Sequence, residues 1–134
     1  MHQYKPYVRT PVDPLKVKEL SSCEIVVAFF DSLGKEMIPD SVIWTLTDHT
    51  GAHVINNRLR TPITPDRVVT ITLSGDDLAL PSKQFPWRLL TIEATYTSSA
   101  GMALPLTEQF KFQIDPIEFL PFDSMEGALP QNGS

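Results

Sequence analysis

One cysteine in 134 residues leaves no second thiol for an intramolecular disulfide and excludes an all-cysteine metal site. Glycine is scarce, six against twelve prolines. Proline interrupts helices and fixes extended segments, and the widest gap between neighbours runs only from Pro14 to Pro39. Long helices have few places to fit. No apolar run approaches the roughly 20 residues of a membrane-spanning helix. Cations are the minority charge: 11 Lys+Arg against 16 Asp+Glu give a net −5 and a pI near 5.0. Gripping a phosphate backbone needs clustered cations, so neither direct nucleic-acid binding nor a membrane partner is expected.

What is present is enough for a core. Hydrophobic residues make up 42% and charged residues 20%, which suits one compact domain. Glu24–Phe30 is a strong strand candidate, followed by a turn at Asp31-Ser32-Leu33-Gly34-Lys35. Ser41–Thr47 alternates, with Val42, Trp44 and Leu46 on one face. Asp48-His49-Thr50-Gly51 reads as a tight turn into Ala52–Ile55, predicting a hairpin. Arg67–Leu73 turns Val69, Ile71 and Leu73 inward, and Arg88–Tyr96 shares a face among Leu90, Ile92, Ala94 and Tyr96. Met102–Ile114 does the same with Leu104, Leu106, Phe110, Phe112 and Ile114. Six or seven short strands in about 100 residues predict an all-β, antiparallel immunoglobulin-like β-sandwich. Alternation alone does not separate a sandwich from a small closed barrel. The expected organisation is an extended N-terminal arm over 1–18, a sandwich over 19–115, and an extended acidic, apolar C-terminal arm over 116–134.

The run from Phe30 to Asp48, with its D-x-x-G turn, its proline and its V-x-W-x-L-T-D strand, resembles small Ig-like proteins of tailed-bacteriophage structural modules. Thr70–Leu78 and Leu90–Tyr96 are similar as well, so the likeness spans roughly residues 24–114. Its motifs are fold-forming. The resemblance implies a virion component and transfers no catalytic residue.

No constellation argues for chemistry. Leu20-Ser21-Ser22-Cys23 has the look of a lipoprotein cleavage box, but the residues before it are polar and broken by prolines. A thiol buried at the start of a strand fits better. His49 and His53 lack a third strong ligand nearby, so Asp48 capping a turn with Gly51 at positive φ is the expectation, and no metal. Gly75-Asp76-Asp77 lacks the ligand spacing of a calcium loop. Ser74 or Asp76 capping a short helical turn explains those residues. Arg58, Arg60 and Arg67 read as a solvated strand edge that discourages aggregation. Nucleophile elbows, Walker loops and dinucleotide fingerprints are missing from the sequence. No enzyme activity and no cofactor is expected.

The ends carry the strongest functional pattern. Residues 1–18 hold Lys5, Arg9, Lys16 and Lys18 against Asp13 alone, while 115–134 hold four acids and no Lys or Arg. Ile117, Phe119, Leu120 and Phe122 are interleaved with those acids, as in an extended segment that anchors in a groove or at a sheet edge of a neighbour, or that packs on its own domain. These eight residues are the predicted interaction set. The function expected is that of a virion structural or assembly protein in the capsid, neck or tail, made in the host cytoplasm. It would dock onto other virion proteins and copies of itself in a homo-oligomer or symmetric assembly. An Ig-like carbohydrate-binding or surface-adhesion module is the alternative, and exposed aromatics beside the loops would favour it.

Overall fold

The computed structural model describes residues 5–10, 16–80 and 86–117. Among them the chain is all-β. Its strands are β1 (Tyr7–Arg9), β2 (Lys16–Lys18), β3 (Ser22–Phe30), β4 (Ser41–Asp48), β5 (Thr61–Ile63), β6 (Val68–Ser74), β7 (Trp87–Ser98) and β8 (Gly101–Asp115). A single 3-10 turn, Gly75–Leu78, follows β6.

The period-two pattern becomes burial directly. Along β6, Val69, Ile71 and Leu73 are buried while Val68, Thr70, Thr72 and Ser74 are exposed. On β3 the buried residues are Ile25, Val27 and Phe29, with Phe30 closing the strand. Strand β7 buries Leu90, Ile92 and Ala94, and β8 buries Phe110, Phe112 and Ile114. All eight residues Val42, Trp44, Leu46, Ile71, Leu90, Ile92, Phe110 and Phe112 belong to one core cluster.

Two sheets contribute to that core. One has the order β1-β3-β6 and the other β2-β8-β7-β4-β5. All pairings are antiparallel except β2 with β8, which run parallel. The loop joining β3 to β4 is set by Asp31, whose Oδ1 accepts the N–H groups of Leu33 (2.9 Å) and Lys35 (3.0 Å). Gly34 supplies the required positive φ of 83°.

Three expectations change. The segment 1–18 is not simply an arm: β1 pairs with β3, β2 pairs with β8, and Val8 and Val17 are buried in the core. The boundary expected between 18 and 19 therefore falls inside the folded body at these residues. After the turn at Asp48–Gly51 the chain returns with only a single bridge, Thr47 to Val54, before the irregular stretch that leads to β5. Strand β4 is consequently covered on both faces. Thr45 and Thr47 are buried although they point away from the core, and Thr45 Oγ1 accepts the Arg60 N–H at 2.9 Å.

Candidate functional site

The predicted interaction residues divide between two places. Lys16 and Lys18 lie on β2 beside Gln113 and Asp115, so they sit next to the end of β8. Lys18 Nζ donates to Asp115 Oδ2 at 2.8 Å, and that hydrogen bond holds the Asp115 carboxyl below its usual range. Lys18, one of the predicted interaction cations, thus meets an acid of its own chain. Ile117 lies just beyond, half-buried. Phe119, Leu120 and Phe122 lie outside the described residues.

Glu19 organises this corner. Its Oε1 accepts the Ile117 N–H at 2.9 Å and its Oε2 accepts the Leu80 N–H at 3.1 Å. One carboxylate thus ties the end of β2 to the exit from β8 and to the segment after the 3-10 turn. The Glu19 N–H donates in turn to the Asp115 carbonyl at 2.9 Å. Charged acceptors make such bonds stronger than neutral ones, so the direction in which the chain leaves β8 is fixed by the fold. Sequence reading missed Glu19, because nothing local distinguishes it from a solvated acid.

Arg9 lies on β1 in the other sheet, and Lys5 lies two residues before that strand. The Arg9 guanidinium sits 4.8 Å from the centroid of Phe30, and Tyr7 stacks on the same ring at 4.9 Å. Lys5 lines a shallow cleft of about 460 Å³ with Tyr7, Ser32, Leu33 and Gly34. A second hollow of about 370 Å³ adds Asp31, Met37, Tyr96 and Thr97. The β3–β4 loop and the β7–β8 turn therefore share one end of the molecule with residues 5–7. Leu33 projects there with 78% of its surface exposed.

Other ionisable groups fasten turns and loops. Asp77, fully buried, accepts Arg58 Nε at 2.9 Å, Asn56 Nδ2 at 2.8 Å and the Ser74 N–H at 3.0 Å. Burial pushes its carboxyl up, but these donors outweigh it and hold the group below its usual range. Arg58 also lies 5.7 Å from the Trp44 ring. This corrects the reading of Arg58 as part of a solvated edge, while Arg60 pairs with Glu93 at 3.4 Å on the surface. The expected turn at Ser74 is present, and its second acid is the buried anchor. Asp48 caps its turn as expected: Oδ1 accepts the Thr50 hydroxyl at 2.6 Å and the Thr50 N–H at 3.1 Å. The hydroxyl bond is the main cause of a carboxyl pulled down to about 2. His53 reaches Asp48 at 3.1 Å with its ring largely in water.

Arg88 is 3% exposed and aligned with Leu90 and Ile92 on β7. It donates to the carbonyls of Ala79 and Trp87, which lets a cation end an apolar face. Cys23 packs half-buried against the core, and burial followed by the nearby Asp77 raises its thiol. Among the described residues, no group of three His, Cys, Asp or Glu side chains comes together to hold a metal. No helix among them is long and apolar enough to cross a membrane. No family model matches the chain, and no curated protein matches its sequence.

Proposed function

We propose that the chain is an Ig-like β-sandwich that serves, without catalysis, as a structural and assembly component of a virion. It docks onto copies of itself and onto other virion proteins. The strand order is the observation that carries the fold half of this reading. Strands β3 and β6 are neighbours in one sheet, and β4, β7 and β8 are neighbours in the other. That is how the Ig fold divides its B and E strands from C, F and G, and variable-type domains extend the second sheet beyond C as β5 does here. Trp44, buried on β4, takes the place of the strand-C tryptophan. Aliphatic side chains, Ile25 and Val27 on β3 and Leu90 and Ile92 on β7, fill the space between these strands, which suits a chain with one cysteine.

The placement of charge supports docking over chemistry. Asp77, Asp48 and Asp115 each have their carboxyl held down by a partner that also fastens a turn, a loop or a strand end. The virion half rests on the resemblance of residues 24–114, for which a strand order of this kind is the fold implied. Antibody against the purified chain, applied to tailed particles from lysates of cells carrying the coding sequence, tests it. Label at one fixed, symmetric position on the particle is the expected result. Free protein in the lysate with unlabelled particles would overturn it.

A further inference from the structure

Among the described residues, β1, β2, β5 and β6 stand last in the strand orders of the two sheets, and three of them are guarded. Strands β1, β2 and β5 are each three residues long. Strand β1 carries Arg9, β2 carries Lys16 and Lys18, and β5 carries Pro62. Short length, charge and proline are the usual means by which an edge is kept from pairing with another chain. Strand β6 has none of them. It runs seven residues, Val-Val-Thr-Ile-Thr-Leu-Ser, without a charge or a proline.

The hydrogen bonding shows which groups it leaves open. Phe29 N–H donates to the Arg67 carbonyl at 3.0 Å. In an antiparallel ladder this directs the main chain of residues 67, 69, 71 and 73 toward β3. The N–H and C=O groups of Val68, Thr70 and Thr72 therefore point away, and among the described residues none pairs with them. At Ser74 the row ends, because its N–H is taken by Asp77 Oδ2.

We propose that β6 is a dimerisation edge that pairs antiparallel with β6 of a second copy, joining two three-stranded sheets into one of six strands. A second copy is the occupant because the strand is complementary to itself. With Ile71 on the two-fold axis, Thr70 stands opposite the partner's Thr72 and Val68 opposite the partner's Ser74. Five of the six open main-chain groups on each copy then find partners, the Val68 carbonyl being left out because the Ser74 N–H opposite it is held by Asp77, and cross-strand threonine pairs are favourable. The ends also match in charge. Arg67, exposed at the start of β6, comes to the Gly75–Asp76 end of the partner, where Asp76 is exposed. Asp66 lies one residue further out, with its Oδ1 engaged by the Arg67 N–H at 2.7 Å. This inference stands or falls without reference to a virion.

Sedimentation equilibrium of the whole chain at tens of micromolar, with two β6 variants, is the test. Thr70→Pro removes an N–H that β3 does not use, and Thr70→Lys sets two like charges on one face of the joined sheet. The wild type is expected to be a dimer, and each variant to weaken it by about tenfold or more. Near-ultraviolet dichroism identifies a variant that has failed to fold; Thr70→Lys, with its side chain already in water, keeps the test decisive if the proline variant does so. A monomeric wild type overturns the proposal. So does a dimer indifferent to a folded Thr70→Lys variant, and so does a monomer whose β6 amides are shifted by an added peptide of residues 116–122.

Discussion

Arg58 Nε lies 2.9 Å from Oδ1 of Asp77, a carboxylate with none of its surface in water. The two residues come from different connections, one after β4 and one in the turn after β6. Their contact fastens the stretch that crosses from one sheet to the other. The pair is asymmetric, because the Arg58 side chain keeps 38% of its surface exposed. Removing the cation strands a buried charge, whereas removing the anion lets the cation turn to solvent.

Arg58→Ala is therefore expected to destabilise the protein toward the lower end of the roughly 3–5 kcal/mol seen when a buried pair is broken. Asn56 and the Ser74 N–H still donate to Asp77, which limits the loss. Asp77→Asn is expected to cost less. With Arg58 gone, burial dominates at Asp77 and its carboxyl moves up, so the Arg58→Ala deficit should shrink as pH falls from 7 toward 4. Urea melts at the two pH values check this. An equal deficit at both would place the cost in lost packing instead.

Acid acts on the wild type in the opposite sense. Asp48 and Asp77 both have folded-state carboxyls below their ordinary range. Their contribution is complete above the unfolded value of about 4 and is lost as pH falls through the folded value. For Asp48 that loss begins at about pH 4 and is complete below the folded value of about 2. Carboxyl shifts followed by NMR should show Asp48 still ionised at pH 3. Thr50→Val, which removes the hydroxyl that holds it, should move that titration upward.

Trp44 is 5% exposed and lies in the core that both sheets share. Trp44→Ala should cost about 3–5 kcal/mol, from lost transfer energy and the cavity left behind. Denaturant unfolding decides it, and a near-neutral change would remove Trp44 from the core.

The N-terminal strands give a further test. Val8 and Val17 are each buried, and burying an apolar side chain of this size stabilises by about 1.5–3 kcal/mol. Deleting residues 1–18 should lower the melting temperature sharply. Retention of the full melting temperature would return these residues to the status of an arm.

The sequence was most readable where strands are long. In β4, β6, β7 and β8, seven or more residues give alternation room to show, and the inward parity of Trp44, Ile71, Leu90 and Phe112 follows from it. Three-residue strands such as Lys16-Val17-Lys18 give it none. Only partners distant in sequence, Gln113, Ile114 and Asp115, make that segment a strand. Turn chemistry was legible because it is local, as at Asp31 with Gly34 and at Asp48 with Thr50. Arg58 and Asp77 stand 19 residues apart, and no local pattern joins them. Arg88 shared the parity of Leu90 and Ile92, which was a usable signal that its charge masked.

The apolar and acidic residues of 116–134 are proposed to join this docking module to a particle. Comparing the whole chain with one lacking residues 118–134, produced together with the other components of the particle, tests this most directly. The cut falls beyond Ile117, so the Glu19 bond to the Ile117 N–H is kept. The shortened chain is predicted to melt at the same temperature as the whole chain and to be missing from purified particles that contain the whole chain. Incorporation of the shortened chain at the level of the whole chain would contradict the account.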